Sequence, residues 1–108
     1  MNADVDRRLL GQMREHLTSA PKDVSSLGRL VSDLEATSSS LTIKDIAWKQ
    51  DFHEHWACLE EVFAVALDRS MLVLSEEFQG LVSEAVTGLR ILVDKAVCTL
   101  SEETEPAS

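Results

Sequence analysis

Four stretches of this chain repeat one pattern, apolar residues three and four positions apart, and that spacing restricts what the chain can become. Residues so spaced share one face of an α-helix that turns about 100° per residue, whereas a strand would scatter them over both faces. The longest stretch, about 76–98, carries Phe78, Leu81, Val82, Ala85, Val86, Leu89, Leu92, Val93 and Ala96 on its stripe. Another, about 24–37, places Val24, Leu27, Leu30, Val31 and Leu34 together. The first, about 3–18, sets Val5, Leu9, Leu10, Met13 and Leu17 on one side and is closed off by Pro21. The fourth is the segment "QDFHEHWACLEEVFAVALDR", residues 50–69, with Trp48 just ahead of it. Strand signals are nearly missing: there is no Tyr, no clean alternation of β-branched residues, and no Asn-Gly or Asp-Gly turn.

The connections agree with helices. "TSSSLT" (37–42) breaks the periodicity and reads as a linker, and "SMLVL" (70–74) is a short bridge. Ser75 suits a helix cap, and Glu76 and Glu77 suit the positive end of the helix dipole that follows. Thr42 and Asp45 have capping-box spacing, T-x-x-D. Ile43 and Ile46 fall off the stripe of the helix they would start, so either its first turn bends away or they cover another element. Short links make consecutive helices antiparallel neighbours. The expected fold is all-α, a small antiparallel bundle of about four helices, with one domain over 1–98 and a flexible acidic tail over 99–108.

The fourth segment holds two histidines, a cysteine and five acids, residue types that bind metals and move protons. With Asp51 set at zero on a helical wheel, Trp48, Phe52, Trp56, Leu59, Phe63, Ala66 and Leu67 fall within roughly 60–160°. That arc is core, and each indole N–H needs a partner or a wet edge. Asp51, Glu54, Glu61 and Asp68 occupy roughly 260–360°, with Cys58 and Val65 between them. Arg69 is the one base at that edge. His53 and His55 project about 200° apart and cannot share an ion on a helix. Asp51, His55 and Cys58 share a face, but neither H-E-x-x-H nor a pair of Glu-x-x-His motifs supports a metal site. The histidines are instead expected at the surface, paired with nearby acids. Neither a glycine-rich phosphate loop nor a G-x-S-x-G elbow occurs, and acidic neighbours blunt a thiol. No enzyme, cofactor or metal is expected.

Charge then narrows the class of partner. The chain has 19 acids against 10 Lys and Arg, net −9. Residues 1–42 hold 6 acids and 5 bases, while residues 43–108 hold 13 acids and 5 bases. The negative field therefore belongs to the second half. It repels nucleic acid and anionic membrane surfaces and draws in a basic protein. "MNADVDRRLLGQ" lacks the basic start and apolar run of a signal peptide, and "VFAVAL" (62–67) is too short to span a membrane. Cys58 and Cys98 form no CxxC pair and are expected as reduced thiols in a cytoplasmic protein.

The segment "WKQDFHEHWACLEEVFAVALD" (48–68) resembles a motif, W-K-x-x-F-x-x-x-W-x-x-L-E-x-V-[aromatic]-A-x-A-L-D, of small helical immunity proteins from bacterial contact-dependent growth inhibition and related polymorphic toxin systems. The resemblance covers about residues 25–95 and is carried by Trp48, Phe52, Trp56, Leu59, Glu60, Phe63, Ala64 and Asp68, with Phe63 where tyrosine is the commoner residue. It implies a cytoplasmic inhibitor that covers the basic cleft of a delivered toxin domain, of which nucleases (RNases above all) are the expected kind, as a 1:1 complex. The expected contacts are Asp51, Glu54, Glu61 and Asp68, with Glu76 and Glu77 as outer members; Glu60 projects near the core margin. Two other classes stand beside this one. The first is an acidic secretion chaperone or regulatory adaptor that holds a client in an apolar groove. The other is a metal- or thiol-dependent enzyme using Asp51, His55 and Cys58.

Overall fold

The computed structural model of the chain describes residues 3–104, and they form four helices. These are α1 (Ala3–His16), α2 (Val24–Ser39), α3 (Ile46–Asp68) and α4 (Glu76–Thr104). α1 packs on α2 and α4, and α3 packs on the same two helices from the other diagonal. Chain direction follows from the loops. The α1–α2 and α3–α4 connections meet at one end, where Val24 N–H donates to Leu72 O (3.0 Å) and Leu74 N–H donates to Lys22 O (2.9 Å). The α2–α3 connection lies at the opposite end, against the start of α1: the Asp6 carboxylate accepts from Thr42 N–H (2.9 Å) and from the Thr42 hydroxyl (2.6 Å). Successive helices therefore run antiparallel, as the short links predict. The body is elongated, 56 × 22 × 20 Å, because short α1 faces the C-terminal part of α4 while α3 faces the rest. Arg14 to Asp94 (2.6 Å) and the Trp48 indole to Leu92 O (2.8 Å), two residues apart on α4, mark the level where those two spans meet.

The stripes become the core, with local differences that have physical causes. All five expected residues of α2 are buried, as are Val82, Ala85, Val86, Leu89, Leu92, Val93 and Ala96 of α4. In α1 the buried line runs through Asp6, Leu10, Met13 and Leu17, so Val5 is exposed and Leu9 half-buried. The rotation places Asp6, only 3% exposed, over the backbone N–H of Thr42. In α3, Leu67 is 55% exposed rather than core, while Val62, which the wheel places in neither arc, is buried. The helix centres its buried face on Phe52, Leu59 and Ala66, and Leu67 falls beyond it.

Three boundaries also move. α2 continues to Ser39, since the Ser38 and Ser39 hydroxyls both donate back to Glu35 O, one turn earlier, and leave the helix intact. Asp45, not Thr42, caps α3, accepting from Trp48 N–H at 3.1 Å, while Thr42 is held by Asp6. Ile43 packs on the core from the loop, whereas Ile46 is exposed. α4 runs to Thr104 rather than ending near 98, because buried Leu100 adds another turn to the apolar stripe. The segment expected as a tail is thus helical over 99–104, and 105–108 lie outside the described residues. Ser75 does cap α4, with Phe78 N–H donating to its hydroxyl at 3.2 Å.

Candidate acidic surface and the seams of α3

α3 is fixed on both flanks by the same two devices. Its indoles donate to backbone carbonyls of the neighbouring helices: Trp48 Nε1–H to Leu92 O of α4 (2.8 Å) and Trp56 Nε1–H to Val31 O of α2 (3.0 Å). A buried indole N–H without a partner would be costly, so these bonds also set helix register. The second device is a flat ring laid on a glycine. A Cβ at Gly28 of α2 would stand 2.5 Å from the Phe63 ring, and one at Gly88 of α4 would stand 2.6 Å from His55 Nε2. Only glycine leaves room for either ring.

Held this way, α3 turns Asp51, Glu54, Glu61 and Asp68 to solvent, and all four are exposed. Glu76 and Glu77, also exposed, lie in the first turn of α4, at the end of the bundle where α3 finishes. Among the described residues, none of these six has a Lys, Arg or His nitrogen within ion-pair distance. The bases are engaged elsewhere or stand apart: Arg14 with Asp94, Arg7 with Asp4, and Arg69 with its guanidinium carbon 5.7 Å from the Phe78 ring centre. That last contact takes the one base at the edge of the stripe onto an aromatic face.

The histidines settle differently from expectation. Among the described residues neither His53 nor His55 pairs with an acid; His53 leans over Trp56, ring centres 5.7 Å apart, and His55 is half-buried on Gly88. Among the described residues no three His, Cys, Asp or Glu side chains are placed to hold a metal. Cys58 and Cys98 are both free. Partial burial pushes the Cys58 thiol up, and the charges of Glu61 and Glu84 push it further. Glu84 belongs to α4, so the acidic surface crosses from one helix to the next. Sequence reasoning missed Glu84, since only the packing of α3 against α4 brings it beside Cys58. Asp23, the cap of α2, has its carboxyl lowered by hydrogen bonds from Ser26 N–H and then the Ser26 hydroxyl.

Between α3 and α4 lies an open groove of about 590 Å³, with His55, Cys58, Ala85 and Gly88 among its lining and Leu81, Glu84 and Ile91 beside them. No described helix is long and apolar enough to cross a membrane. Compared with protein-family models, with curated proteins and with solved structures, the chain matches none.

Proposed function

We propose that this protein is an immunity protein, a cytoplasmic inhibitor that binds a basic toxin domain, of nuclease type, through the carboxylate face of α3. The supporting observation is that Asp51, Glu54, Glu61 and Asp68 stand exposed without a basic partner among the described residues, while Arg69 is drawn onto Phe78. Asp51 and Glu54, three residues apart, are a like-charge pair that costs the helix about 0.2–0.5 kcal/mol, and no lysine is interspersed among the four acids on that face. A nuclease presents Lys and Arg to phosphates, and carboxylates on a rigid helix occupy those cations in place of the nucleic acid. Glu76 and Glu77 extend the face at the end of the bundle.

The test is co-expression with the candidate toxin domain encoded beside this chain. Growth is restored by the wild-type chain and lost again with Glu54→Lys and Glu61→Lys together. Full protection by that double variant contradicts the reading. A second reading, an acidic secretion chaperone or adaptor, is favoured by the open groove between α3 and α4. It requires an extended client, so a partner that binds only when folded excludes it.

A further inference from the structure

We propose that the groove between α3 and α4 is the seat of a cationic amphipathic helix presented by the protein partner, with apolar anchors on Leu81 and Ile91 and Lys or Arg against Glu61 and Glu84. This rests on the reading of the protein as a binder of a basic domain and names the element that would be bound. Two apolar side chains at the groove are left to water: Ile91 is 63% exposed and Leu81 is 39% exposed. They are ten residues apart on α4, and Glu84 and Gly88 fall between them on the same side. Gly88 carries the His55 ring against its backbone, which keeps the groove floor low. The repeat of Leu81, Glu84, Gly88 and Ile91 follows helical spacing, so the complementary object is another helix laid alongside.

Charge selects which helix. Among the described residues no Lys or Arg lines the groove, and its glutamate, Glu84, acts together with Glu61 on Cys58. Residues 43–108 hold 13 acids and 5 bases, so a second copy of this chain would bring the same negative surface against itself. An anionic headgroup is repelled for the same reason. A helix with Lys or Arg flanking two apolar anchors meets both the exposed aliphatics and the carboxylates.

The experiment uses the full chain and a synthetic Lys/Leu amphipathic peptide of about 14 residues, roughly 21 Å of helix. A Glu/Leu peptide of the same pattern is the control. The expected result is saturable binding of the Lys/Leu peptide only. Amide resonances of Cys58, Leu81, Glu84, Gly88 and Ile91 shift, and alkylation of Cys58 in a Cys98→Ser background slows at least fivefold. Ile91→Asp weakens binding about tenfold, with Ile91→Ser as the milder variant should the first disturb folding. No binding, shifts confined to other surfaces, or equal binding of the Glu/Leu peptide overturns the proposal. So does a dimer that Ile91→Asp dissociates, since it assigns the groove to a second copy. Binding lost with Glu54→Lys and Glu61→Lys but indifferent to Ile91→Asp sinks the groove and leaves the acidic face standing. The reverse pattern supports the apolar anchors beside Glu84 and overturns the part assigned to Glu61, removing the outer face of α3 from the contact.

Discussion

The two flanks of α3 use the same parts toward different ends. Against α2, an indole bond to Val31 O and the Phe63 ring on Gly28 make a seam whose ring is wholly apolar. Against α4, an indole bond to Leu92 O is matched by an imidazole, His55, on Gly88, and beside it lie a groove, two exposed aliphatics and Glu84. Both seams position the helix. The second opens into a groove with Leu81, Ile91 and Glu84 exposed along it, apolar surface and charge together, the combination a protein partner can use. The difference teaches that a helix can be anchored by the same two devices on both sides while one seam closes on an apolar ring and the other opens into a groove.

The comparison can be broken most sharply at the anchors. Trp48→Ala removes a large buried ring and the bond to Leu92 O, and it should cost about 3–5 kcal/mol in denaturant unfolding. A loss under about 1 kcal/mol would mean that the α3–α4 seam does not depend on this residue. Next in size is the pair of glycines. Gly28→Ala should cost about 1–3 kcal/mol through displacement of Phe63, with Gly88→Ala below it because the polar His55 ring loses less on moving toward water than the apolar Phe63 ring. Phe63→Leu should recover part of the first loss, a coupling visible in a double-mutant cycle. Equal costs at the two glycines would erase the distinction between the seams.

At the far end of the bundle, Asp6→Ala leaves Thr42 N–H without its carboxylate and should cost about 1–3 kcal/mol. The smallest expected change is at the turn out of α3. Ser70 has φ 54° and closes a Schellman cap, with Ser70 N–H donating to Leu67 O and Met71 N–H to Ala66 O. Glycine takes that conformation freely, so Ser70→Gly should raise stability by about 0.5–1 kcal/mol without touching partner binding. A pH series adds a sign. The folded Cys58 thiol is raised above its ordinary value of 9.0, so stability is complete below that value and declines as pH rises beyond it. Cys58→Ser in a Cys98→Ser background should abolish that alkaline decline; its persistence unaltered would assign the decline to other groups.

Much of the fold was legible because helical stripes are a local signal: α2 has its five expected core residues, and both tryptophans find the N–H partners their burial demands. What was hidden depended on contacts between elements distant in sequence. Asp6 resembles any acid in a first helical turn until Thr42 is brought over it from 36 residues away. Val62 is buried and Leu67 is not because the axis of burial is set by two neighbours at once, not by the apolar residues of α3 alone. The placement of the acids on one face of α3 was readable from spacing, but Glu84 joins them only through packing. His55 reads as a surface residue in the sequence because nothing local marks Gly88 as its seat.

The most direct measurement is the association rate of the proposed basic toxin domain with wild-type protein and with the Glu54→Lys, Glu61→Lys double variant across a salt series. Charge steering raises such rates by roughly 10- to 1,000-fold at low salt. The wild-type rate is expected to fall at least about tenfold toward high salt, with the variant already near the high-salt value at low salt. Superimposable rates for the two proteins at every salt concentration would contradict docking through this carboxylate face.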